Sequence, residues 1–245
     1  MPRLLIVKTG DTFADVARDH GDFEALFLAA LRPAIEAHPE LVVEVFDARH
    51  DGDPPALGAG DGLVITGSHA MVSDAEPWSE ALRPWLREAR ERDIAMLGVC
   101  YGHQLMAAAF GGESGYHPAG RETGTREIRL TEAGRRDPLL GTLPDRFAAQ
   151  LTHAQSALVA PSDARVLAEN DHDPYQALRH GPRQWSVQFH PEFTPAVMRA
   201  YLAHQRAPLA EQGQDAAALI AAVAPTPEAT GLLRRFARTL VAHGG

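Results

Sequence analysis

The only cysteine of the chain, Cys100, lies between Gly98 and Gly102. An apolar run, residues 95–99, leads into it, and a helical pattern follows at once from Tyr101 to Phe110. This is the layout of a strand, a sharp turn and a helix with a nucleophile at the turn. A cysteine that only packs needs no small residue two positions before and after it. The glycines mark where strand and helix must approach closely, and the free N–H groups at the start of a helix favour a thiolate. A free thiol titrates near ~8.5, so a nucleophilic cysteine also needs a base. The chain has 12 histidines, so a histidine alone means little. His190 is set apart because it ends an apolar run at 185–189 and is followed by Pro191 and Glu192. Proline biases the residue before it towards an extended conformation, in which positions i and i+2 share a side. Glu192 is therefore expected to reach the imidazole and orient it, completing a Cys100–His190–Glu192 triad. Acyl transfer also needs donors for an oxyanion. The backbone N–H of Tyr101 follows the nucleophile directly, and Gly67, at the end of another apolar run, supplies a second candidate.

Parallel-type strands must carry these groups to one edge. Residues 4–7, 41–46, 62–67 and 94–99 are continuous apolar runs, as expected of a parallel sheet covered on both faces. Between them, Phe23, Leu26, Phe27, Ala30, Leu31, Ala34 and Ile35 recur at helical spacing, as do Trp78, Leu82, Trp85, Leu86 and Ala89. Ligands bind at the carboxyl ends of such strands, where both Gly67 and Cys100 fall. Beyond residue 125 the pattern changes to short segments around 126–131, 147–151, 165–168, 175–178 and 185–189, separated by turn residues. Residues 195–204 read as a helix. In the alanine-rich stretch from 208 to 245, Pro225 and Pro227 are expected to divide two helices.

Composition sets outer limits. The 245 residues carry a formal net charge of −9 without a basic block, which argues against non-specific nucleic-acid binding. One cysteine leaves no internal disulfide. No apolar run approaches the ~18 residues of a membrane span, and the first residues lack a secretory pattern, so a cytoplasmic protein that is not membrane-bound is expected. His20, His38, His50 and His117 are scattered, and no metal or organic cofactor is implied.

With these residues in place, Gly98-Val99-Cys100-Tyr101-Gly102-His103-Gln104-Leu105 and Gln188-Phe189-His190-Pro191-Glu192 resemble the two signature motifs of class I (triad) glutamine amidotransferases. Thr66-Gly67-Ser68 resembles the family's oxyanion strand, and residues 117–124 resemble a segment in the glutaminase domain of GMP synthase and its stand-alone relatives. The resemblance covers about residues 1–205, taken as one domain. Residues 206–245 are then a C-terminal helical extension packed on the same domain. It implies a three-layer, flavodoxin-like α/β fold with a mostly parallel central sheet and a strand-rich second half. It also implies hydrolysis of the γ-amide of glutamine, or of a γ-glutamyl compound, through a thioester on Cys100.

By the same resemblance, the substrate contacts are Gln104 and the segment Thr152, His153 and Ala154. GMP synthases usually have Ser-His-Gly-Asp there, whereas this chain has Thr152-His153-Ala154-Gln155, so the acid that would meet an α-ammonium is absent at Gln155. No Gly-x-x-x-x-Gly-Lys-[Ser/Thr] run occurs. The expectation is a separate synthase subunit that receives ammonia, or a free-standing hydrolase. Two alternatives stay open: a γ-glutamyl peptidase without a synthase partner, and a glutaminase subunit silent until bound to one.

Overall fold

The computed structural model describes residues 2–243. The first half alternates strands and helices: β1 (Arg3–Lys8), α1 (Ala14–His20), α2 (Phe23–Ala37), β2 (Val42–Asp47), β3 (Asp61–Ile65), α3 (Pro77–Glu91), β4 (Ala95–Val99) and α4 (Tyr101–Ala109). The second half holds β5 (Glu113–Tyr116), β6 (Glu122–Leu130), α5 (Glu132–Arg135), β7 (Arg146–His153), β8 (Gln155–Val159), β9 (Arg165–Glu169), β10 (Ala177–Gly181) and β11 (Gln184–Val187). Four helices follow: α6 (Pro195–His204), α7 (Arg206–Glu211), α8 (Ala216–Ala221) and α9 (Pro227–His243).

A nine-stranded sheet in the order β2-β1-β3-β4-β11-β10-β9-β6-β7 forms the middle layer, and β5 and β8 pair in a small separate sheet. The strands from β2 to β11 pair in parallel, and β10, β9, β6 and β7 continue the sheet antiparallel. The period of two along each strand sorts side chains between the faces. Leu4, Ile6, Val64 and Leu97 join one core cluster with Phe27 and Leu31 of α2 and Phe236 of α9. Leu5, Val7, Leu63, Ile65 and Met96 join another with Leu82 and Leu86 of α3 and Met106 of α4. Every residue of β3 and β4 is buried. At the edge, β2 does not follow this rule: Val42 and Val45 are exposed although the apolar run continues through them.

The helices after residue 205 differ from the two expected. Gly213, at φ +72°, breaks the first into α7 and α8, and a third, α9, starts at Pro227. One stripe of α9, made of Leu232, Leu233, Phe236 and Leu240, is buried against α2 and the sheet. Gly62 of β3 makes room for it, since a Cβ there would lie 2.5 Å from Leu240. Among the described residues no helix is long and apolar enough to cross a membrane. Phe236→Ala should lower folding stability by about 3–5 kcal/mol in denaturant titration, the cost of emptying a fully buried aromatic site.

Candidate active site

β4 delivers Cys100 to the carboxyl edge of the sheet, and α4 begins at the next residue. Cys100 takes φ +51° and ψ −99°, a conformation that side chains other than glycine rarely adopt. Its N–H donates to the carbonyl of Val187 at 2.9 Å, which ties the elbow to β11. The flanking glycines are required by contact. A Cβ on Gly98 would lie 2.6 Å from the carbonyl oxygen of Gly102, and one on Gly102 would lie 2.6 Å from that of Ile65. The side chain of Cys100 is 5 % exposed, at the first turn of α4.

β11 brings His190 to the same place. The strand ends at Val187, and the backbone N–H of His190 donates to Gln150 of β7 at 2.8 Å. The N–H of Phe193 then returns to the carbonyl of His190 at 3.3 Å. His190 and Glu192 therefore meet across a turn, not along the extended stretch expected. Nδ1 of His190 lies 2.6 Å from Oε1 of Glu192, and both residues are buried. Phe193 stacks on the imidazole at 4.3 Å between centroids, and Phe23 lies parallel to it at 6.5 Å. Phe23 is held there by Asp22, which accepts its N–H at 2.8 Å, and Asp22 is itself bound by Lys8 at 2.7 Å. The other ring nitrogen, Nε2, is buried without a hydrogen-bond partner of normal geometry. Burial alone would push the imidazole's pKa down. The charges of Glu192 and of the nearby Cys100 sulfur outweigh burial and raise it to about 10.

Gly67 sits directly against this ring: a Cβ there would lie 2.9 Å from Cε1 of His190. Its peptides are anchored by Thr9, whose hydroxyl donates to the carbonyls of Thr66 at 3.0 Å and Gly67 at 3.1 Å. Tyr101 sends its side chain away from the cysteine. Its hydroxyl is 2.5 Å from Ser79 of α3, so only its backbone is left near Cys100.

Cys100 and His190 line a cavity of about 230 Å³. Gln104, Thr152, His153 and Ala154 line it too, so the residues expected at the substrate do converge. Two of them are tied into the protein. The amide nitrogen of Gln104 donates to the carbonyl of Gln155 at 2.6 Å and to Gln188 at 3.1 Å. The ring of His153 lies between the Gln155 carbonyl, 2.9 Å from Nδ1, and Glu122, 3.1 Å from Nε2. Glu122 also accepts from Asn170 at 2.6 Å and Gln176 at 2.8 Å. Burial would raise the pKa of Glu122, but His153 and Asn170 hold it below the ordinary carboxylate value. The Gln155 side chain reaches Ser73 at 2.5 Å, closing the segment onto the loop after β3. None of the residues lining the cavity is Asp or Glu.

The cavity also draws on residues that the motifs do not reveal. Phe13, His69, Arg121, Tyr201 and Gln205 line it, from loops and helices far apart in sequence. Arg121 donates to Gln205 at 3.0 Å and keeps a buried Nε without a partner. Its place just before β6 is the one available signal, because residues 117–124 stand out as a motif. Burial, reinforced by the His190 charge, pushes His69 down to about 4. Among the described residues no group of three or more His, Cys, Asp or Glu side chains is placed to hold a metal ion.

The geometry predicts an imidazolium at His190 well above neutral pH. Because the folded pKa exceeds the unfolded one of ~6.5, this proton's stabilisation is complete below ~6.5 and disappears as pH rises through about 10. Nitrogen-15 shifts should show His190 doubly protonated at pH 8, and Glu192→Gln should lower its titration midpoint by at least ~1 unit. An unchanged midpoint in that variant would contradict the pairing.

The model of the family described as glutamine amidotransferase class-I matches residues 30–207. The chain is 40% identical over 188 residues to the glutamine-hydrolyzing GMP synthase of Aeropyrum pernix, covering 76% of this chain and 34% of that protein. It thus spans about a third of that relative's length. It is 29% identical over 178 residues to a subunit of the glutamine-hydrolyzing GMP synthase of Halobacterium salinarum, covering 72% of this chain and 87% of the relative. A third relative is gamma-glutamyl-L-1-hydroxyisopropylamide hydrolase of a Pseudomonas species, 31% identical over 164 residues, or 64% of this chain and 55% of that one. Among solved structures, a glutamine amidotransferase from Thermotoga maritima superposes with a TM-score of 0.75 at 17% identity, covering 98% of both chains, which shows the shared fold. The elbow, the sheet and these likenesses agree, and the chain belongs to the class I glutamine amidotransferase family.

Proposed function

We propose that the protein hydrolyses the γ-amide of glutamine or of a γ-glutamyl compound, with Cys100, His190 and Glu192 as its catalytic triad. The observation that carries this is the buried His190–Glu192 pair facing a cysteine on a strained elbow. The sulfur of Cys100 attacks the amide carbon. The N–H groups of Gly67 and Tyr101 receive the oxyanion, a role that the close fit of Gly67 to His190 supports. His190 gives its proton to the departing nitrogen, and Glu192 keeps the ring oriented and its charge stabilised. Water then cleaves the thioester with His190 as the base. The acyl part lies on Gln104 and residues 152–154. Of these, His153 also holds the segment through Glu122, which its engaged ring nitrogens support.

The name of the Halobacterium relative, a GMP synthase subunit, supports a second reading, in which the nitrogen passes to a separate synthase partner. The Pseudomonas relative's name, a γ-glutamyl amide hydrolase, supports action without one. In either case the helices from residue 206 onward belong with the same domain, which the burial of Leu233 and Phe236 in its core supports.

A glutamine-like electrophile should add once to the protein, and intact-mass measurement should find that addition absent in Cys100→Ala. Hydrolysis should fall at least ~10³-fold in that variant. His190→Ala should slow turnover by about 10²–10⁴-fold, and Glu192→Gln by less, as expected of an orienting group. Steady-state amine release is the measurement; a loss in Glu192→Gln as large as in His190→Ala would refute the division of roles.

A further inference from the structure

The proposed cleavage divides the cavity, because His190 must face the leaving nitrogen. The side that continues from His190 is a run of rings. Phe193 stacks on His190, and Tyr201 lies 4.7 Å from Phe193 between centroids. Tyr201 is 5.8 Å from His69 and 5.0 Å from Phe13, and Phe13 and His69 are 4.1 Å apart. Phe13, His69 and Tyr201 all line the cavity beside Cys100. Most of the polar lining comes from other elements, Gln104 on α4, Thr152 to Gln155 where β7 passes into β8, and Arg121 before β6, while Ser68, Gln205 and the unpartnered Tyr201 hydroxyl are the polar groups beside the rings. Phe13 is secured from behind by His204, stacked on it at 3.8 Å and paired with Asp15 at 3.0 Å.

Ammonia has no apolar surface to place against such a wall. An alkyl or aryl substituent does, and burying it there is favourable. A departing amine that takes up a second proton as it leaves would also be attracted to the ring faces. His69 does not oppose this: with its pKa pushed down to about 4 it is a neutral ring at physiological pH.

We propose that Phe13, His69 and Tyr201 form a leaving-group subsite, and that the preferred substrate is the γ-glutamyl amide of a primary amine with an apolar substituent. This rests on the hydrolysis proposed above and names its substrate class. The bond from sulfur to the acyl carbon forms as the carbon–nitrogen bond breaks, and the amine leaves with the proton from His190. Water then supplies hydroxide to the acyl carbon as the carbon–sulfur bond breaks and the thiolate returns, and gives its proton to His190, so that amide and water become γ-carboxylic acid and amine, the acid's proton passing to the amine.

The test compares glutamine with γ-glutamyl-methylamide, -isobutylamide and -benzylamide on the purified full chain. The expected result is a kcat/KM at least about tenfold higher for the isobutyl- or benzylamide than for glutamine. Phe13→Ala should reduce kcat/KM for those amides about tenfold more than for glutamine, and Phe13→Leu should retain part of the difference. A flat or falling series, or a uniform loss in Phe13→Ala, would overturn the subsite. If the isolated chain cleaves none of them, calorimetric binding to Cys100→Ala decides. Benzylamide affinity at least tenfold above that of glutamine supports the subsite, and equal affinities overturn it. Selective binding without any electrophile addition at Cys100 would refute the hydrolysis while leaving the subsite standing.

Discussion

At the centre of this chain an imidazole and a carboxylate are withdrawn from water together, 2.6 Å apart. Removing two such charges from solvent costs several kcal/mol for each ion, and only close mutual contact offsets it. Much of the surrounding structure serves that contact. The turn from His190 to Phe193 sets the two side chains on one side, Phe193 stacks on the ring while Phe23 lies parallel to it, and the Lys8–Asp22 pair fixes where Phe23 stands. Cys100 completes the arrangement from an elbow whose positive φ costs on the order of 1–3 kcal/mol. That cost is borne by the neighbouring strands, through the bond from Cys100 to Val187 and the close packing at Gly98 and Gly102.

The cavity is built with different physics on its two sides. On one, Gln104, His153 and Gln155 are locked by hydrogen bonds that run back to the buried Glu122, so backbone is positioned with little freedom. On the other, contact is made by ring faces without directional bonds. A rigid polar side suits the constant part of a series of acyl compounds, and an apolar side suits a part that varies. Arg121 joins the two through Gln205, and its Nε, like the Tyr201 hydroxyl and Nε2 of His190, is buried without a hydrogen-bond partner.

The parts legible in the sequence are those in which function is concentrated in a few adjacent residues. Gly98-Val99-Cys100-Tyr101-Gly102 declares an elbow because steric need and chemistry act over five positions. His190 and Glu192 are two residues apart, so their pairing is predictable even though a turn, not an extended strand, creates it. The parallel strands are legible because burial on both faces leaves no polar positions. The same logic misjudges β2, an edge strand with valines facing out. It misses α1, β5 and β8, which are short and carry weak patterns. Phe13, His69, Arg121 and Tyr201 are not legible as site residues. Each is an ordinary residue in its own segment and reaches the cavity only when the fold brings four segments together. The tie from the His153 ring to Glu122, a partner 31 positions away, is not legible either.

The proposed hydrolysis requires that Cys100 carry the acyl group between two half-reactions. Rapid mixing of the protein with a γ-glutamyl amide, acid quenching within one turnover and intact-mass analysis tests this most directly. The expected result is one base-labile γ-glutamyl adduct per chain, mapped to Cys100, that builds up with amine release and decays as carboxylate forms. Carboxylate formed without any adduct, or an adduct mapped to another residue, would contradict it.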